Sequence, residues 1–166
     1  FPSDNCYLSR LVQKGYKVAI AEQMEDPKQA KGLVKREVIR VVTPGTLTNS
    51  QVLEESKNNY LMGIVYIDGV FGVSTVDVST GDYLVTEVRN ERSLLDEIYK
   101  FSPSELICNE AFYMSGIDLE DLKVRLNAVI SALENRFFSD DSCRRILREH
   151  FHVEHLEALG LADFQV

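Results

Sequence analysis

No stretch of this sequence approaches the roughly 18–20 consecutive apolar residues that a membrane-spanning helix needs. The longest apolar run, Leu61 to Ile67, is the length of a strand and already contains Gly63. The segment from Phe1 to Cys6 is neither basic nor followed by an apolar core, so no secretory signal is expected. Cysteine is scarce: Cys6, Cys108 and Cys143 lie far apart with no C-x-x-C pair. That argues against a disulfide framework or a structural zinc site, and it fits a reducing cytoplasm. The Asn-x-Ser/Thr acceptor pattern is missing, as are both glycine-rich phosphate cradles, G-x-x-x-x-G-K-[ST] and G-x-G-x-x-G. Any ATP used by the parent protein is therefore expected to bind elsewhere. The first residue is not methionine, so a piece of a longer protein is expected.

What is present is a chain of 166 residues, 45% hydrophobic, enough for one domain or for one domain and part of another. The net charge of −8 does not favour nucleic acid as a partner of the whole chain. The charge is uneven, however. Residues 1–40 hold eight Lys/Arg against five Asp/Glu (+3), and residues 41–166 hold ten against twenty-one (−11). The two parts are expected to meet different partners.

Asp4 or Asn5 is expected to cap a helix running to about Lys14, with Gly15 as its stop. Tyr16–Glu22 reads as a strand buried on its Tyr16, Val18 and Ile20 side, and Val34–Thr43 as a second strand ended by Pro44-Gly45. Residues 24–34 read as a loop or short helix. The polar stretch 46–58 is the best boundary in the chain. After it come three strands, Tyr60–Ile67, Phe71–Val78 and Tyr83–Val88, joined by turns at Asp68-Gly69 and Thr80-Gly81-Asp82. Glu91–Phe101 is expected as a helix with Leu94, Leu95, Ile98 and Tyr99 inward, stopped by Pro103. A short buried strand, Glu105–Cys108, follows, then a helix over 118–126 capped by Asp118 or Gly116. Residues 129–138 stay open between an extension of that helix and a strand at Arg136-Phe-Phe138. Ser139–Glu149 and His155–Leu161 read as helices. The order from residue 59 is that of an α/β layer on a mixed sheet, a meander followed by alternating helices and strands, and it matches a ribonuclease-H-like architecture.

That pattern raises a metal-dependent nuclease as the sharpest enzymatic reading, because such enzymes use clustered carboxylates to hold two metal ions that activate water. Asp68, Asp77, Asp82 and Glu97 are the candidates. Against it, Asp68 and Asp82 suit turns, Asp77 can face solvent, and the opening strand Tyr60–Ile67 holds no carboxylate. His150, His152 and His155 do not share one helical face, and no Cys or carboxylate completes a zinc set. No nucleophile motif is present.

Two stretches carry a resemblance. KGYKVAIAEQMEDP (Lys14 to Pro27), continuing into AKGLVKREVIRVVTPGT (Ala30 to Thr46), resembles the end of the mismatch-recognition domain of the MutS family. VDVSTGD (Val76 to Asp82) and FSPSEL (Phe101 to Leu106) resemble the connector domain that follows it. The resemblance implies three parts: residues 1–45 as the C-terminal part of an α+β recognition domain, 46–58 as a linker, and 59–166 as a connector truncated at its C-terminus. It implies a ribonuclease-H-like connector that does not cleave, mismatched DNA and a MutL-type protein as partners, and a homodimer for the whole protein. The whole protein would signal through ATP and Mg at an ATPase domain outside this chain, so no cofactor and no catalysis of its own are expected here. The mismatch-reading Phe-x-Glu motif would lie upstream. DNA-backbone contacts would fall on Pro2, Ser3, Lys31, Lys35 and Arg36, while Lys14 reads as ordinary solvated charge. Partner docking is placed on Arg144, Arg145 and Arg148, read as a concentrated basic face in an acidic domain.

Overall fold

The computed structural model describes residues 2–26, 32–48 and 58–166, with the backbone alone for residues 2–6. The first part is a helix, α1 (Pro2–Gln13), followed by a two-stranded antiparallel ribbon of β1 (Val18–Gln23) and β2 (Arg36–Val42). The helix begins at Pro2, ahead of the expected cap at Asp4 or Asn5; proline is at home in a first turn because its missing N–H would be unpaired there anyway. Gly15 follows at φ +85°, the left-handed stop that a glycine makes easily. The ribbon packs on the helix through Val12, Val42 and Leu47, with Leu8, Val18 and Ile20 around them. Tyr16, expected on the buried side, is 59% exposed because it precedes the strand rather than opening it. Pro44–Thr46 forms a 3₁₀ turn that ends the ribbon.

The second part is a five-stranded mixed sheet in the order β5-β4-β3-β6-β7. β3 (Tyr60–Ile67), β4 (Val70–Asp77) and β5 (Asp82–Val88) form the antiparallel meander. Asp68 and Gly69 both take positive φ, which matches the right-handed twist of a tight hairpin. β6 (Glu105–Cys108) and β7 (Val129–Ala132) then add in parallel on the other side of β3. The crossovers are α2 (Glu91–Phe101), a short α3 (Glu110–Tyr113) that the sequence pattern did not announce, and α4 (Leu119–Leu126).

Local chemistry explains the helix ends. The Asn90 side chain accepts the Ser93 N–H and starts α2, while Asp118 accepts the Asp121 N–H and starts α4. α2 stops one residue before the expected proline, at Ser102 in the left-handed region, whose N–H returns to the Ile98 carbonyl. Leu94 and Ile98 are fully buried, but Tyr99 is 40% exposed at the border of the inward stripe. Residues 129–138, open between helix and strand in the sequence, resolve into strand β7 and then a 3₁₀ turn, Asn135–Phe138. β6 offers a free parallel edge at that point, and Ile130 buries itself on the core side of it.

One face of the sheet carries Met62, Ile64, Val73, Leu106 and Cys108 against Leu94, Ile98, Phe112 and Leu122 of the helices. The opposite face is hollowed at its centre by two glycines, Gly63 paired with Ser74 and Gly72 paired with Val65. There α5 (Asp140–Phe151) and the C-terminal segment, with its 3₁₀ turn Leu156–Leu159, cover a cavity of about 350 Å³. Asp77 corrects one expectation: it is 0% exposed rather than facing solvent.

Candidate functional site

The basic residues assigned to DNA gather on the ribbon only in part. Pro2 and Ser3 lie in the first turn of α1, and Lys31 falls outside the described residues. Lys35 stands just before β2. Its amide donates to Glu25 Oε1 at 2.8 Å, and its ammonium lies 2.6 Å from Glu37 Oε1, so its charge is matched locally. Arg36 opens β2 opposite Gln23 and makes no ion pair among the described residues. Arg40, further along the strand, turns back to the Thr46 carbonyl and Thr48 hydroxyl at 3.4 and 3.3 Å. Among the described residues Arg36 and Arg40 are the ribbon's cations without a carboxylate partner, while Lys35 carries its own counter-charge.

The arginines assigned to partner docking sit on α5, whose N-terminal Asp140 and Asp141 suit the positive end of its dipole. Arg144 Nε donates to both oxygens of Asp140, at 2.7 and 2.8 Å. That hydrogen bond, with the charge of Asp140, holds the guanidinium pKa above its ordinary value. Arg145 Nη1 reaches both oxygens of Glu149, at 3.1 and 3.2 Å. Arg148 Nε donates to the Arg144 carbonyl at 3.2 Å and meets no carboxylate among the described residues. The expected concentrated basic face is corrected here. Asp140 and Glu149 match Arg144 and Arg145, because i,i+4 spacing brings opposite charges together on one helix. Among the described residues Arg148 is the α5 arginine without a carboxylate partner.

The nuclease candidates do not converge. Asp68 sits in the first hairpin turn, Asp82 opens β5 exposed opposite Asp77, and Glu97 pairs with Lys100 on α2. The Asp77 carboxylate is already saturated: Ser79 donates its amide at 2.8 Å and its hydroxyl at 2.5 Å, and the Asn59 amide donates at 3.2 Å. Burial alone would raise its pKa, but these donors and the Thr80 amide outweigh it and hold the value below 3.8. Among the described residues no group of three His, Cys, Asp or Glu side chains is placed to hold a metal ion. No helix among them is long and apolar enough to cross a membrane.

Sequence reasoning missed the polar residues at the junction of the two parts. Glu105, the first residue of β6, is 3% exposed, and its Oε2 accepts the Gly45 N–H at 3.1 Å. The Asn59 side chain donates to the carbonyls of Pro44 and Leu47 at 2.8 and 3.2 Å. Ser104 Oγ bonds Asn59 Oδ1 at 2.5 Å. The available signal was a glutamate opening a strand whose other residues are apolar.

Comparison with known proteins agrees with this arrangement in two parts. Residues 3–51 match the family described as MutS domain I, and residues 59–166 match MutS domain II. A DNA mismatch repair protein MutS from Lachnoclostridium phytofermentans is 56% identical over 160 residues, covering 96% of this chain and 17% of that protein. The protein of that name from Acetivibrio thermocellus is 47% identical, covering 91% of this chain and 18% of the relative. The one from Protochlamydia amoebophila is 40% identical over 98% of this chain and 19% of the relative. The chain therefore spans less than a fifth of the length of these relatives.

Proposed function

The chain belongs to the MutS family of DNA mismatch-repair proteins, carrying its domains I and II, and we propose that it works as the link between DNA reading and partner signalling in a longer protein. In this reading residues 1–45 complete a mismatch-recognition domain, 46–58 are a linker, and 59–166 are a connector of ribonuclease-H-like kind without cleavage. The whole protein would read mispairs in duplex DNA, pair as a homodimer and signal through ATP, with Mg, to a MutL-type partner.

The observation that carries the reading is the succession of the two family domains, in order, on two parts with separate apolar cores. The basic excess on residues 1–40 (eight Lys/Arg against five Asp/Glu) and Arg36 suit a phosphate backbone. Pro2, Ser3, Lys31 and Lys35 are proposed as its neighbours in that contact. Such contacts carry no sequence information and weaken with salt. The nuclease alternative is disfavoured by the saturated Asp77 and by a β3 without a carboxylate.

Docking of a MutL-type protein is proposed for the outer face of α5, with Arg148 ahead of Arg145 and Arg144 because its charge is unmatched. The test is a titration of this chain with the N-terminal half of its MutL partner. Saturable binding that weakens at least tenfold in Arg148→Glu supports the assignment. Binding that is unchanged in both Arg148→Glu and Arg145→Glu removes α5 from the interface.

A further inference from the structure

The two parts of the chain share no core. Val12, Val42 and Leu47 belong to one cluster, Met62, Ile64, Leu94 and their neighbours to the other, and no residue belongs to both. Between α1 and the α4–β7 corner lies a cleft of about 670 Å³, bordered by Lys14, Gly15, Lys123, Asn127 and Val129. Apolar burial therefore does little to hold one part against the other on that side.

Beside the cleft Gly15 stands close to Val129, whose Cγ2 would lie 3.0 Å from a Cβ at that glycine. The polar contacts that join the two parts gather around the Pro44–Thr46 turn. Glu105 Oε2 accepts the Gly45 N–H at 3.1 Å, and the Lys17 ammonium lies 3.9 Å from Glu105 Oε1. Asn59 holds the Pro44 and Leu47 carbonyls, and its own amide is held by Asp77. The fit around Gly45 is close. A Cβ there would stand 2.9 Å from the Cβ atoms of Glu105 and Leu61 and 3.1 Å from Leu61 Cα. No side chain fits against that backbone.

A carboxylate buried at the foot of a strand costs free energy unless its partners compensate. An apolar residue at position 105 would avoid that cost, but would leave the Gly45 N–H unpaired and Lys17 without its counter-charge. We propose that the Glu105 carboxylate is an interdomain latch: by holding Gly45 and Lys17 at the foot of β6, it fixes the orientation of the α1–β1–β2 part on the five-stranded sheet. The cleft beside it is the space into which the first part swings when the latch is open. The latch rests on this geometry alone; that it sets how the DNA-reading part is presented rests on the function proposed above.

Orientation is measured directly by residual dipolar couplings on the whole chain in a weakly aligning medium. In the parent protein one alignment tensor fits the ribbon and the five-stranded sheet together. In Glu105→Ala two different tensors are needed, while chemical shifts within each core stay in place and exchange of the Gly45 amide quickens roughly ten- to a hundredfold. Glu105→Gln keeps an acceptor for Gly45 and stays close to the parent. Gly45→Ala breaks the same contact from the other side, behaves like Glu105→Ala, and decides the matter if that variant does not fold. One common tensor in both disrupted variants, two tensors already in the parent, or global unfolding of both variants would overturn the latch. DNA binding unchanged despite two tensors would leave the latch standing and count against the DNA-reading role.

Discussion

The side-chain amide of Asn109 stands in for a strand residue against Tyr66. Its Nδ2 donates to the Tyr66 carbonyl and its Oδ1 accepts the Tyr66 N–H, both at 3.1 Å. The same Oδ1 also takes the Phe112 N–H at 3.1 Å and so starts α3. One buried side chain thereby continues the parallel pairing of β3 and β6 past the end of β6 and turns the chain into a helix beneath it.

Replacing Asn109 should accordingly cost far more than a surface change. Asn109→Ala leaves both Tyr66 backbone groups and the α3 cap without their partner, and should lose about 2–4 kcal/mol of stability. Asn109→Asp keeps the cap but sets a carboxylate against the Tyr66 carbonyl, and should also destabilise. Urea unfolding reads both: the midpoint falls while the dependence on denaturant stays the same.

Asp77 makes stability depend on pH in a definite direction. Its native pKa lies below 3.8, so the native state binds this proton less readily than the unfolded chain does. The contribution is fully present above the unfolded value and is lost as the pH falls through the native one. Asp77→Asn should therefore be clearly less stable than the parent near neutrality. The gap between the two should narrow on acidification below about pH 4. A gap that stays constant down to the acid limit would show that the charge is not what the Ser79 and Asn59 donors hold.

Cys108 should be chemically silent in the native protein. Burial pushes its thiol up to about 11 from an ordinary 9.0, and the side chain is fully enclosed. The thiolate is the reactive form, so alkylation needs both exposure and deprotonation. Peptide mapping after treatment with iodoacetamide near pH 8 should find Cys108 unmodified in buffer and modified in denaturant. Cys143, only partly buried on α5, should react first of these two.

Charge changes on the outer face of α5 should leave the fold intact. Arg144, Arg145 and Arg148 stand on an exposed helix face, and exposed pairs of this kind contribute little. Melting temperatures of Arg145→Glu and Arg148→Glu should stay within about 2 °C of the parent. A larger drop would mean that these side chains brace the helix over the cavity beneath it.

Much of the architecture was legible because its causes are local. The bounds of α2 follow from the Asn90 cap and the spacing of Leu94 and Ile98, all within one short segment. The meander follows from alternating side chains and from turns at Asp68-Gly69 and Thr80-Gly81, where the residue types match the backbone angles. The family could be read from the stretches Lys14 to Pro27 and Ala30 to Thr46, with Val76 to Asp82 and Phe101 to Leu106 behind them. These are properties of neighbouring residues, and a sequence displays neighbours.

What tertiary structure alone decided depends on partners that arrive from far along the chain. Val129–Ala132 became a strand because β6 presented an open edge, not because of its own pattern. The buried Asp77 takes the amide of Asn59, which comes to it across 18 residues. Glu105 meets Gly45 across 60 residues. A carboxylate's environment is set by whatever folds against it, so the sequence named the acid and the fold assigned its task.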